Sequence, residues 1–464
     1  MIDVTRFDLH VEIVPHWLGA TMPDAPGHIR CTSIMEVRGA AAEPARSAPF
    51  ALYRLLSVSA ATDESGAPLT VRQNLRQVEG WPAMHVNAIS VDFPEPVAQG
   101  DRQTLRLVYE GPLVGYREVM PYVHDSVQAD IAVLRPEVLW YPVLGGVEGG
   151  EDIVHRAVES PPFSVSVQCP EGWWAGMAGT RREPASGGVV RFHARPDWSG
   201  GLYLVAGRYT EMGAGEHVAA HHLPGHEAWA GAVVESAQFA AATLTEWLGA
   251  RASGHDRLDI AEIPEHWGSQ SSPGLILQVH RADPRWTFAE VAHEVSHHWT
   301  PGADPNRFCD EGMAHYLQAR VEGVRYGEED RWRDLDGRRK AVLRKAAAAE
   351  TPLGRASEHP ELVETVSRCK GPLALAVLDA CLGDGDFFAL LRRWLGSGVS
   401  PRGTAGDFGN LVRDWGSHRP DFRAHRFVRE WFEVPGPMPL EGEECPIAEA
   451  VRRCAGRYGT PAPS

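Results

Sequence analysis

The chain has 464 residues, 43% apolar and 23% charged, an ordinary balance for a globular protein and enough length for two or three domains. A formal charge of −16 with no basic tail or stripe excludes a nucleic-acid binder, because nothing would neutralise phosphates. No apolar run spans a membrane, Met1 to Asp8 lacks a signal-peptide core, and the seven scattered cysteines form no disulfide framework, so the expected compartment is the cytoplasm.

The first two hundred residues read as β-structure. Phe7, Leu9, Val11 and Ile13 alternate with polar partners, as a half-buried strand does. The same period returns around Ile29–Thr32, Leu105–Leu107 and Phe163–Val167, with Tyr203–Ala206 as the last strand. Turn chemistry such as Glu64-Ser65-Gly66-Ala67-Pro68 separates these runs, and the Gly- and Glu-rich stretch 144–150 reads as a loop. These features predict an antiparallel saddle or sandwich.

From about residue 212 the texture changes. His226 to Gly249 has a helical pattern ending on a glycine C-cap, and short strands follow at Leu258–Ile260 and Gly274–Val279. His221, His222 and His226 cluster without a carboxylate or cysteine at ligand spacing, and read as surface or linker residues. Beyond residue 310 the chain is helical, through 337–350, 372–382, 386–395, a helix opened by Thr404, and 424–432. A small helix with a frayed Pro- and Gly-rich tail closes it.

The chemistry is concentrated in His293-Glu294-Val295-Ser296-His297. Thr287 and Glu290 resemble a capping box just upstream, so a helix is expected through Val291, Val295 and Trp299 until Thr300-Pro301-Gly302. On that helix His293 and His297 lie one turn apart and can share a metal ion. Glu294 beside them is placed to take a proton from a water that the metal activates. Glu311, at the start of the next helix, supplies a third ligand, and two imidazoles with one carboxylate leave a position open on zinc. His298 points off that face, and His315, a turn past Glu311, is expected to pack between helices.

These residues resemble the aminopeptidase N and leukotriene A hydrolase family of gluzincin metallopeptidases. The likeness rests on His293–His297, on Asp310-Glu311-Gly312-Met313-Ala314, on 134–142 with 163–167, and on Arg429–Phe432 with Gly436–Pro439. It implies an α+β multidomain fold: an N-terminal antiparallel β-domain over 1–211, a thermolysin-like, mainly α zinc catalytic domain over 212–440, and a tail over 441–464. The helical superhelix of longer members is absent. One zinc ion and a peptide or protein substrate are implied with it.

The sequence departs from the family in three places. The segment between His297 and Glu311 is short, so Thr300–Arg307 must turn tightly. Where the family has a Glu that grips the substrate amine, Gly268-Ser269-Gln270-Ser271-Ser272 has no carboxylate, which removes the anchor of a strict aminopeptidase. Ser271, Gly274 and Leu275 remain as candidate substrate-binding residues, the last two on a strand edge to which a peptide can add. Arg368 stands where the family has an oxyanion-stabilising Tyr, and a permanent cation can serve that role. The leading expectation is a zinc metallopeptidase; the competing one is a degenerate relative that holds zinc and binds peptides or partners without cutting them.

Overall fold

The computed structural model describes the chain outside residues 16–25, 80, 121–122, 147–152, 154–155, 158–160, 185–186, 196–199, 214–216, 251–256, 301–303, 397–402, 441–444 and 460–464. Most of the expected 144–150 loop, the middle of the His297–Glu311 connection and the last five residues therefore lie outside the described residues.

Packing divides the chain into two units, one made of 1–230 with 257–280 and the other of 231–256 with 281–464. The boundary expected at 211/212 falls inside the first unit, for a reason visible in its core. Ala261, Ile263, Leu275, Leu277 and Val279 bury against Ile131, Val133, Tyr203 and Val205, so the late strands share apolar surface with the early ones.

The first unit is built from sheets. Seven strands run in the order Thr180–Pro184, Val189–Ala194, Phe163–Gln168, Ile2–Val14, His28–Gly39, Arg102–Pro112, Ser57–Thr62. All of these pairings are antiparallel except that of Ile2–Val14 with Phe163–Gln168. Phe7, Leu9, Val11 and Ile13 all face inward, as their alternation predicts. Four-stranded and three-stranded sheets accompany it, and a five-stranded sheet carries Thr210–Gly213, Val218–His222, Leu258–Ile263, Leu275–Val279 and Gln270–Ser272 in that order. Its three central strands are parallel. The chain between Val218–His222 and Leu258–Ile263 must therefore return to its starting end, and it does so through the helix Glu227–Leu248, closed by Gly249 at φ 85°.

The second unit is helical. The motif helix runs Pro284–Ser296 and starts earlier than the sequence implies. Asp283 is its N-cap, accepting from the Arg285 N–H, with Pro284 in the first turn, while Thr287 turns its hydroxyl back to the Asp283 carbonyl at 3.1 Å. The expected Thr287–Glu290 capping box is therefore not formed, because Asp-Pro satisfies the helix start first. Val291, Val295 and Trp299 are fully buried, and the Trp299 indole N–H donates to the Gly249 carbonyl at 2.9 Å.

The next helix, Met313–Tyr326, is held by a buried polar cluster: Asp379 accepts from Arg320 at 2.8 Å, from Arg331 at 3.0 Å and from the Tyr316 hydroxyl. Thr404 caps Ala405–Ser417 with a full capping box. The small helix expected near the end is present, and the frayed end expected after it falls at 460–464, outside the described residues. Ile447–Gly456 packs on Gly371–Leu382, and Cys454 and Tyr458 are fully buried. No helix among the described residues is long and apolar enough to cross a membrane.

Candidate metal centre

The motif helix brings His293 and His297 together with their Nε2 atoms 3.2 Å apart. Glu311 reaches the same point from a five-residue π turn, Phe308–Gly312, whose preceding residue Arg307 takes a left-handed backbone at φ 54°. Its Oε2 lies 3.4 Å from His293 Nε2. An ion with bonds of about 2.0–2.1 Å separates tetrahedral ligand atoms by roughly 3.3 Å. Both separations from His293 match that spacing, and all three donor atoms lie within 4.8 Å of one another.

The two oxygens of Glu311 have different surroundings. Oε1 accepts from Arg307 Nη2 at 2.7 Å and from Arg368 Nη2 at 3.2 Å. Oε2 is buried without a hydrogen-bond donor. A buried carboxylate oxygen left unpaired is costly unless a cation completes it, and the histidine nitrogens facing it are the usual company of one.

Electrostatics point the same way. Burial pushes His297 down to about 3, with His293 adding to the effect. Burial also lowers His293, against the pull of Glu311. Both rings are thus held neutral, the form that ligates. Burial alone would raise the Glu311 carboxyl, but His293, His297 and Arg307 overcome it and hold the group ionised.

Glu294 is buried on the same helix, between the two ligand positions. His315 packs as a wall: its ring stacks on His293 with centroids 4.0 Å apart. Arg338 Nη2 and Gln318 Oε1 both lie 3.1 Å from His315 Nδ1, and its Nε2 is 3.6 Å from Glu311 Oε2. The stacking on His293 is the kind of packing expected of His315.

Arg368, the residue read as an oxyanion stabiliser, lies beside the cluster. Besides Glu311 it pairs through Nε with Glu364 at 2.5 Å, and Arg307 Nη1 shares that Glu364 at 2.6 Å. The contact of Arg368 in the cluster is with the candidate ligand Glu311. Arg307, its partner in this clamp, was missed by the sequence reading, since an Arg four residues before a ligand carries no distinctive signal.

The three candidate substrate-binding residues sit in the first unit. The sheet edge is Gln270–Ser272, so Ser271 is on it, half-buried, opposite Ile276. Gly274 and Leu275 are not on that edge. Gly274, at φ 79°, forms with Pro273 the two-residue turn between the hairpin strands, and Leu275 is an interior strand residue, 2% exposed. An apolar run cannot reveal whether its strand is central or flanking. The edge segment is fastened from afar: Arg135 donates to the carbonyls of Trp267 at 2.9 Å and Gly268 at 2.7 Å, and Gln270 donates to Glu137 at 3.1 Å. Glu137 is a carboxylate that sequence reasoning had not connected with this segment.

Solved structures resemble this chain over nearly all its length at low identity. An M1 zinc metallopeptidase from Deinococcus radiodurans is 19% identical, covered over 94% of this chain and 96% of its own, with a TM-score of 0.60. A variant of that enzyme bound to a Tyr-Ser-Ala substrate is 19% identical, with 94% and 95% coverage and a TM-score of 0.58. Native yeast LTA4 hydrolase is 15% identical, with 94% and 69% coverage and a TM-score of 0.64. No family model matches the sequence, and no curated protein does. The fold of this chain is that of the M1 zinc metallopeptidases and LTA4 hydrolase.

Proposed function

We propose that this chain is a zinc-dependent metallopeptidase that hydrolyses peptide bonds in peptide or protein substrates. The observation that carries the reading is the buried, donorless Oε2 of Glu311 facing the Nε2 of His293, with the Nε2 of His297 beside it. His293, His297 and Glu311 would hold one zinc ion, which when bound supplies Lewis acidity toward water and the scissile carbonyl. Glu294 holds the proton that hydrolysis must move from the attacking water to the departing amine. Arg307 and Arg368 orient Glu311 and keep it anionic. His315 closes one side of the ligand set against His293.

Ser271 stands where the resembled family carries its amine-gripping Glu, so N-terminally blocked peptides are expected to be cleaved along with free ones. The test is to quantify bound zinc and screen free and blocked peptides with wild type beside Glu294→Gln. The expected result is equal zinc in both proteins and a rate loss of about 10²–10⁴ in the variant. Stoichiometric zinc with no cleavage of either peptide class would instead favour a relative that only binds.

A further inference from the structure

A second cluster of ligating side chains lies wholly within the first unit, at His226, Glu262 and His280. The Nδ1 atoms of both histidines converge on one oxygen, Oε1 of Glu262, at 2.5 Å for His226 and 3.0 Å for His280. The two rings sit 4.2 Å apart between centroids. We propose that this cluster is a second divalent-cation site, separate in residues from the His293–His297–Glu311 set, that takes a zinc-like transition metal and ties together three pieces of the first unit.

The carboxylate is the first argument. The Glu262 side chain is 2% exposed, and its ion partners among the described residues are His226 and His280 alone. No Lys or Arg pairs with it among those residues, so no permanent cation offsets a buried negative charge. A divalent ion supplies the charge and uses the same three atoms.

The division of labour within Glu262 is the second. Its Oε2 is already satisfied by the backbone N–H of Leu223 at 2.8 Å, which leaves Oε1 for the cluster. Glu311 shows the same split, with one oxygen tied by the protein and the other turned to the histidines. The surrounding frame fixes each ligand. His280 donates its backbone N–H to Ile263 at 3.0 Å and stacks its ring on Trp229 at 5.6 Å, and the Tyr209 hydroxyl holds the Glu262 carbonyl at 2.7 Å.

The donor set decides the class of ion. Two imidazole nitrogens and one carboxylate oxygen suit zinc, cobalt, nickel or copper, whereas magnesium and calcium prefer all-oxygen shells. On binding, each imidazole keeps its proton count by moving it from Nδ1 to Nε2. The histidine side chains are 40% and 30% exposed, so an ion reaches them from solvent and solvent completes its shell. His226 directly precedes the helix Glu227–Leu248, Glu262 lies on Leu258–Ile263, and His280 ends the run of Leu275–Val279. The role is therefore to clasp the segments around residues 226, 262 and 280 within the first unit.

Zinc counting on the full chain tests this, using wild type, a His293→Ala/His297→Ala variant and Glu262→Gln, each checked for folding by circular dichroism. The expected contents are two, one and one ions per chain, with a zinc-dependent rise in melting temperature that persists in His293→Ala/His297→Ala and is reduced in Glu262→Gln. Failure of the peptidase site alone would read differently, as one ion in wild type that survives His293→Ala/His297→Ala. If Glu262→Gln does not fold, His226→Gln alters a half-exposed ligand and takes its place. One ion in wild type that disappears in His293→Ala/His297→Ala overturns the proposal, as does a content unchanged by Glu262→Gln or His226→Gln.

Discussion

Gly312 and Gly371 meet face to face: a methyl built on Gly371 would stand 3.2 Å from the Cα of Gly312. A methyl on Gly312 would meet the Ser367 carbonyl oxygen at 3.2 Å and the Cα of Gly371 at 3.7 Å. Each glycine closes a five-residue π turn, Phe308–Gly312 and Val366–Lys370, and their contact brings Arg368 to Glu311. Gly312→Ala and Gly371→Ala are each expected to cost about 1–3 kcal/mol by overpacking and to weaken zinc binding by displacing Glu311. Thermal melts with zinc-competition titrations check this; variants matching wild type in both would show that the contact is not needed.

The Arg307–Arg368 clamp should set metal affinity rather than the chemical step. Arg307→Met and Arg368→Met are each expected to lower zinc affinity by about 10–100-fold, the usual effect of removing a group that orients a ligand. Arg307 makes the shorter contact, 2.7 Å against 3.2 Å, so its loss should be the more severe. Arg307→Lys should rescue poorly, because one ammonium cannot span Glu311 and Glu364 as the guanidinium does. If affinity holds and turnover alone falls in Arg368→Met, Arg368 acts on the substrate and not through Glu311.

Asp379 anchors the helix that follows Glu311. Its Oδ2 takes Arg320, Arg331 and the Tyr316 hydroxyl together, all buried. Removing the carboxylate leaves Arg320 with the exposed Asp384 and Arg331 with the exposed Glu328 in place of a buried partner, so Asp379→Ala should lose about 3–5 kcal/mol in chemical denaturation. A loss below about 1 kcal/mol, the range of exposed pairs, would mean water had replaced it.

Lys370 gives the fold a pH signature. Its ammonium is 1% exposed and donates to the carbonyls of Ala349 and Thr351, both at 2.7 Å. Burial pushes it down to about 8 from an ordinary 10.5. Between those values the unfolded chain binds the extra proton, so stability should rise with pH from about 8 toward 10.5, by up to roughly 3 kcal/mol. Lys370→Met should flatten that rise. Urea melts across the window give the slope, and a wild-type slope equal to the variant's would exclude Lys370 as its source.

The convergence of His293, His297 and Glu311 was legible because its signals are local. His293 and His297 share a helix face at a spacing that fixes their geometry, and the Asp310-Glu311-Gly312 context marks the third candidate ligand. Strands such as Ile2–Val14 announce themselves through strict alternation. What was not legible depends on partners far away in the chain. The inner position of Leu275 follows from pairing with both Asp259 and Ser272. The absence of a carboxylate near His221 and His226 held only along the sequence: parallel pairing brings Asp259 to His221 at 2.8 Å and Glu262 to His226. The capping box failed for a local reason, since Asp283-Pro284 is the stronger start and lies just upstream.

The first unit takes its last strands, within 257–280, only after the chain has already contributed 231–256 to the second. On a ribosome this order has a cost in time. The strand Val218–His222 emerges before its parallel neighbour Leu258–Ile263 exists, and that neighbour emerges before Leu275–Val279. The nascent chain therefore carries an incomplete sheet edge through the synthesis of an entire helix, a period in which edge-to-edge association competes with folding. A fragment ending near residue 250 would make that interval permanent, whereas one ending beyond His280 would let the sheet close.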